Sequence, residues 1–129
     1  MPASADAIRA GVAACAAADD KKAGNLLLLD VGDLLGIVDL FALASVNNER
    51  QIKAVLDAIE ERLRDQDRKP LRREGTPESG WVLLDYGDLV VHVFLEEQRG
   101  LYALERLWAD VPRIDPVTGA PVVLDDAPA

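Results

Sequence analysis

Residues 80–94 read GWVLLDYGDLVVHVF, and this stretch has the pattern of a β-hairpin. Two apolar runs, residues 81–84 and residues 89–95, flank a short polar turn at residues 85–88. Gly87 lies in this turn and can adopt the positive φ that tight turns need. The sequence therefore predicts two adjacent antiparallel strands joined by a tight connection.

The two faces of this predicted hairpin differ in chemistry. If the loop is the two residues at positions 86 and 87, one face carries three facing pairs, which are Trp81 with His92, Leu83 with Val90, and Asp85 with Asp88. The other face is purely aliphatic and suits a core covered by helices, with Val82 opposite Val91 and Leu84 opposite Leu89. A loop of three residues would change this pairing.

The mixed face has two interpretations. Trp81 beside His92, near two carboxylates, fits a binding surface, because tryptophan supplies a large rigid contact area and is frequent among interface anchors. The alternative is that both rings pack beneath a helix as part of the core.

Residues 97–108 read EQRGLYALERLW and predict an amphipathic helix that begins at Glu96 or Glu97 and ends near Trp108. Its leucines share one stripe, which is expected to face the core. Arg99, Tyr102 and Arg106 share another stripe. Arginine and tyrosine are favoured at protein interfaces, but exposed arginines are also common on any helix, so both interpretations remain open.

The first half of the chain predicts two helices and two strands. Residues 5–18 are rich in alanine and have Ile8, Val12 and Cys15 at helical spacing, with Ser4 or Asp6 as the cap. The remaining predicted elements are a strand at 25–31 that is buried on both faces, a strand at 36–44 whose composition also fits a buried helix, and a helix capped by Asn47 or Asn48 that buries Ile52, Val55, Leu56, Ile59 and Leu63.

The second half adds a short edge strand at 71–75 before the hairpin. After the last helix, prolines at positions 112, 116, 121 and 128 are expected to break any regular element. We therefore expect one α/β domain over residues 1–110 and an extended or disordered, proline-rich tail over residues 111–129.

Composition narrows the classes of partner. The chain has 129 residues and a net charge of −9, so its average surface repels nucleic-acid phosphates and fits a basic protein better. Cys15 is the only cysteine, which excludes an internal disulfide, and we expect it to be a small buried residue. No apolar run approaches the length of a bilayer span and no targeting pattern opens the chain, so we expect a cytoplasmic protein without membrane contact.

Candidate catalytic and metal-binding patterns are weak. His92 is the only histidine, which excludes a two-histidine metal site. A Ser-His-Asp triad would need a serine beside it, and nothing in the sequence brings Ser45, the serine nearest a strand end, to that position. Neither glycine-rich phosphate-loop pattern occurs. We expect no catalytic residue, no metal and no cofactor.

The pattern WxLLDYGDxVVHVF followed by RxxYxLExLW resembles the signature of the Iojap-like ribosomal silencing factors, the RsfS family. The resemblance implies a mixed β-sheet flanked by helices, with a topology similar to that of nucleotidyltransferases. It also implies a translation repressor that binds the large ribosomal subunit through its fourteenth protein, blocks joining of the small subunit, and forms homodimers when free. The positions that match the motif and are expected to bind the partner are Trp81, Asp85, Tyr86, Asp88, His92, Arg99, Tyr102 and Glu105.

The implied fold requires that an enzyme be weighed as an alternative. Nucleotidyl transfer needs clustered carboxylates that hold two cations, usually an Asp-x-Asp or Asp-x-Glu on a strand after a Gly-Ser loop. The chain has no Gly-Ser dipeptide, and its short-spaced Asp-x-Asp, Asp65 and Asp67, ends the charged helix. We expect a non-enzyme. A degenerate or active transferase and a dimeric scaffold without a ribosomal role are the alternatives.

Overall fold

A seven-stranded mixed sheet organises the residues that this computed structural model describes, 2–97 and 111–122. The elements in chain order are α1 (Ala5–Asp20), β1 (Gly24–Asp30), α2 (Gly32–Leu35), β2 (Leu40–Val46), α3 (Glu49–Arg64), β3 (Arg72–Glu74), a 3-10 turn (Pro77–Ser79), β4 (Trp81–Asp85), β5 (Leu89–Leu95), β6 (Arg113–Ile114) and β7 (Pro121–Val122). The strand order is β3-β4-β5-β2-β1-β6-β7. Only β2 and β5 pair in parallel among these strands.

Helix α1 begins where Ser4 accepts a hydrogen bond from the backbone N–H of Ala7, so the predicted cap is confirmed. The predicted stripe is only partly confirmed, because Ile8 and Val12 are half-buried at its margin. The buried face consists instead of small residues, namely Ala7, Ala10, Gly11, Ala14, Cys15, Ala17 and Ala18. These small side chains let the helix lie close to the sheet. A Cβ at Gly11 would come within 2.5 Å of Leu40 Cδ2.

Helix α3 matches its prediction closely. Asn48 is the N-cap and accepts from the N–H of Gln51 at 2.8 Å, while the Gln51 side chain accepts from the N–H of Asn47 at 2.8 Å. The predicted apolar face is the buried one, formed by Ile52, Val55, Leu56, Ile59 and Leu63. With α1, this helix covers one face of the sheet and encloses the larger apolar core.

The two central strands differ in detail from their predictions. β1 lies where expected, but only Leu28 and Leu29 are fully buried, so burial on both faces is limited to its second half. β2 begins at Leu40 and not at residue 36, because residues 32–35 form the short helix α2, which ends at Gly36 with φ +77°. The strand interpretation of this segment is correct over its second part.

The prediction that no regular element follows residue 110 is wrong. β6 pairs with β1, and β7 pairs with β6 as the outermost strand on that side of the sheet. The prolines are compatible with these strands because Pro112 precedes β6 and Pro121 begins the edge strand β7, where a missing N–H is tolerated. The division of the chain at residue 111 stays a prediction.

The face of the sheet opposite α1 and α3 carries a second, smaller core. Its buried residues are Leu29, Val31, Leu43, Phe94 and Val111, with Trp81 and Phe41 among the half-buried side chains packed against it. Cys15 is buried on the helix side, and burial raises the pKa of its thiol to about 12. No helix in the described ranges is long and apolar enough to cross a membrane.

Candidate functional site

The β4–β5 hairpin is confirmed, but its register differs from the prediction by two residues. Trp81 is opposite Phe94, and Leu83 is opposite His92. The two-residue loop is Gly87 and Asp88, closed by a hydrogen bond from the Tyr86 N–H to the Leu89 carbonyl at 2.8 Å. The predicted pairs of Trp81 with His92, Leu83 with Val90 and Asp85 with Asp88 are therefore wrong.

The turn chemistry explains the shifted register. Gly87 has φ +93° and is the first central residue of the loop, the position at which a type II′ turn requires glycine. The Asp85 carboxylate accepts a hydrogen bond from the Gly87 N–H at 2.8 Å, which stabilises this turn. A loop at positions 86 and 87 would instead place glycine second. Because the shift is two residues, every side chain keeps its predicted face.

Four rings form an aromatic cluster on the face opposite α1 and α3, namely Phe41, Trp81, His92 and Phe94. Trp81 stacks on Phe94 with ring centroids 5.1 Å apart, and Phe41 meets His92 edge to face at 5.0 Å. The indole Nε1–H of Trp81 donates a hydrogen bond to Nδ1 of His92 at 3.1 Å. The predicted proximity of Trp81 and His92 is thus confirmed, although they are diagonal neighbours and not a facing pair.

His92 is held as a neutral ring. Its side chain is buried, and burial lowers its pKa from the ordinary 6.5 to about 4. An indole N–H can only donate, so Nδ1 acts as acceptor and the ring proton is on Nε2. Nε2 is buried, and no hydrogen-bond partner for it lies within the described part of the chain. A buried neutral ring of this kind is a poor general base at neutral pH.

The two carboxylates of the hairpin, Asp85 and Asp88, each form an ion pair with an arginine. Arg68 binds Asp88 through two hydrogen bonds of 2.8 and 3.1 Å, and this contact raises the pKa of Arg68 above its ordinary value. The Asp88 carbonyl accepts from the N–H groups of Asp39 and Leu40, which fastens the turn to the start of β2. Arg72 contacts Asp85 at 3.2 Å. Both carboxylates therefore stabilise the hairpin turn.

Tyr86 lies away from the aromatic cluster. It is buried among the apolar residues on the helix side of the sheet, and burial is the main reason that its pKa is raised to about 12. Its hydroxyl is buried and has no hydrogen-bond partner among the described residues. The predicted partner-binding residues are therefore divided between two faces and the turn.

Three predicted partner-binding residues, Arg99, Tyr102 and Glu105, lie outside the described residues, as does almost all of the predicted helix at 97–108. Sequence reasoning did not include Phe94 or Arg68 in the site. Phe94 lies two residues after His92 in the same strand and therefore on the same face, so strand alternation could have identified it. Nothing in the sequence pairs Arg68 with Asp88. No group of three or more potential metal ligands occurs within residues 2–97 and 111–122.

Comparison with known proteins identifies the family of this chain. The family described as "Ribosomal silencing factor during starvation" matches residues 4–127. The chain belongs to this family. The match includes α1 and the β6–β7 segment, two parts of the chain that contributed nothing specific to the resemblance.

Curated relatives and solved structures agree. The ribosomal silencing factor RsfS of Bacillus subtilis (strain 168) is 38% identical over 102 residues, covering 79% of this chain and 86% of the relative. The chloroplastic protein Iojap of Arabidopsis thaliana is 35% identical, covering 76% of this chain and 41% of that protein. A crystal structure from Chromobacterium violaceum has a TM-score of 0.74 at 31% identity, covering 78% and 84% of the two chains, and one from Bacillus halodurans has 0.66 at 33% identity, covering 87% and 94%. The predicted family and the mixed α/β fold are confirmed.

Proposed function

We propose that this protein represses translation by binding the large ribosomal subunit and blocking its joining to the small subunit. The observation that carries the proposal is the match of a ribosomal silencing family to residues 4–127 of a chain of 129 residues. The relatives at 33–38% identity are named as silencing factors and not as enzymes, which supports a non-enzymatic role.

Charge supports a protein contact on the ribosome. A net charge of −9 disfavours a surface of RNA phosphates and favours a basic ribosomal protein. Our candidate is the fourteenth protein of the large subunit, which the family resemblance implies. A standard interface occupies about 800 Å² on each partner. A folded domain bound over such an area obstructs a subunit interface by its volume alone.

Trp81 is the anchor we propose for this contact. The side chain is only partly buried, and beside it lies a cavity of about 170 Å³ whose described lining is Glu74, Gly75, Trp81 and Leu83. Tryptophan is enriched among interface hot spots, and a partner side chain that filled this cavity would exclude water from the ring. We propose that Arg99, Tyr102 and Glu105 also contact the partner, and that Asp85, Tyr86 and Asp88 contribute by stabilising the hairpin.

The protein is proposed to act in the cytoplasm and to form a homodimer when it is free of ribosomes. Its effect would be stoichiometric and reversible, since a steric block leaves the ribosome chemically unchanged.

Sucrose-gradient sedimentation with purified subunits tests the proposal. We expect the protein to migrate with the large subunit, not with the small one, and to reduce the joined-ribosome peak in a saturable way. Trp81→Ala should weaken binding by about 2 kcal/mol. The matched control is Val117→Ala, because Val117 is exposed and lies between β6 and β7, at the opposite end of the sheet. Migration with the small subunit alone, or with neither, would refute the proposal.

A further inference from the structure

The hydrogen bond between Trp81 and His92 links two residues that do not face each other in the sheet. Trp81 is paired with Phe94, and His92 with Leu83, so the two rings are diagonal neighbours on one face. Diagonal side chains are about 7–8 Å apart at their origins, a span that only long side chains bridge. The indole N–H nevertheless reaches Nδ1 at 3.1 Å, which requires one particular rotamer of each ring.

Stacking alone does not determine how the indole is presented. Trp81 stacks on Phe94 with an interplanar angle of 27°, and the plane of the ring is kept if the indole flips over by a half-turn about its Cβ–Cγ bond. The hydrogen bond distinguishes these orientations, because only one of them points Nε1 at His92. That orientation also determines which edge of the ring lines the cavity formed with Glu74 and Leu83.

Histidine at position 92 is expected to stabilise the fold less than an apolar residue would. It is buried within an aromatic cluster, where phenylalanine or leucine would pack without polar atoms, and its Nε2–H is left without a hydrogen-bond partner among the described residues. A buried unpaired donor is destabilising. What the histidine offers, and an apolar residue lacks, is the acceptor at Nδ1.

We propose that His92 is a positioning residue whose Nδ1 accepts the indole N–H of Trp81 and fixes the orientation in which that ring is presented to a protein partner. This inference rests on the proposed function, in which Trp81 is the anchor of the ribosomal contact. His92 itself does not touch the partner in this account, because it is buried. It acts through Trp81.

Three variants test the proposal. His92→Phe keeps an aromatic ring and removes the acceptor. His92→Asn is the conservative variant, since the oxygen of asparagine can occupy the position of Nδ1. Trp81→Phe keeps the stack on Phe94 and removes the donor. Each is compared with wild type for its dissociation constant with purified large subunits, and the double variant His92→Phe with Trp81→Phe completes a mutant cycle.

The second readout is the indole N–H resonance of Trp81 in a ¹H–¹⁵N spectrum of the full chain, assigned by its loss in Trp81→Phe. We expect His92→Phe to shift this resonance and speed its exchange with solvent, and to weaken large-subunit binding by about fivefold. His92→Asn should restore binding to within about twofold of wild type. In the Trp81→Phe background, His92→Phe should have no further effect.

The proposal is overturned if the Trp81 indole resonance is unchanged in His92→Phe, or if the binding defect of His92→Phe persists in the Trp81→Phe background. Unchanged binding by a folded His92→Phe variant overturns it as well, and leaves the proposed function standing. Failure of the wild-type protein to bind large subunits refutes the proposed function instead, and the resonance then decides separately whether His92 positions Trp81.

Discussion

Acidification should destabilise the protein through His92 alone by about 3 kcal/mol. Burial lowers the pKa of this side chain from 6.5 to about 4, so below pH 6.5 the unfolded chain binds a proton that the folded chain refuses. The contribution of neutral His92 to the free energy of unfolding is therefore fully present above pH 6.5, and it is lost as the pH falls toward 4. Each pH unit of this interval corresponds to about 1.4 kcal/mol, which gives about 3 kcal/mol between pH 7 and pH 4.

Urea unfolding followed by circular dichroism, at a series of pH values from about 7.5 to 4, measures this loss. The control is His92→Phe, which lacks the titrating ring while keeping every carboxylate. Asp115, whose pKa is lowered by the N–H groups of Thr118 and Val117, titrates alike in both proteins and cancels in the difference. The free energy of unfolding should fall more steeply in wild type. Parallel pH profiles for the two proteins would refute the reasoning.

Three further predictions concern packing, the hairpin and chemistry. Gly11→Ala should lower the free energy of unfolding by about 1–3 kcal/mol, because its Cβ would meet Leu40 Cδ2 at 2.5 Å; unchanged urea midpoints would contradict this. Arg68→Met should cost about 1–2 kcal/mol by breaking both hydrogen bonds to Asp88, and Lys53→Met, which removes an exposed ion pair, should change stability by less than about 0.5 kcal/mol in the same assay. Incubation with labelled nucleoside triphosphates and magnesium should transfer no label to protein or ribosome, and catalytic transfer would revive the transferase alternative.

Local patterns predicted the elements that depend on local chemistry. The cap at Asn48 and the apolar face of α3 follow from hydrogen bonding and helical spacing within one segment. The division of the hairpin into an aliphatic and a mixed face follows from strand alternation. It is correct although the predicted pairing is wrong, because a register shift of two residues leaves each side chain on the same face.

The predictions that were wrong depend on contacts between distant segments, which the spacing of residues along the sequence does not reveal. Both candidate loops contain Gly87, whose positive φ fits either one, and the pairing of Tyr86 with Leu89 in the folded chain decides between them. The bond between Arg68 and Asp88 joins positions twenty apart through the path of β3 and β4. Pro121 is disfavoured inside a sheet and acceptable at its margin, and the sequence does not reveal that β7 is outermost.

Within residues 2–97 and 111–122, the two edge strands of the sheet limit how another chain can attach. One end is β3, whose three residues are all exposed and include two arginines, and the other is the two-residue β7, which begins with a proline that has no N–H to offer. Short, charged or proline-bearing margins resist the addition of a further strand. The ribosomal partner or second copy that we propose would therefore recognise side chains on a face of the molecule. Backbone pairing, which is largely indifferent to sequence, is disfavoured there, so the partner that we propose would be selected by side chains, for which Trp81 is our candidate.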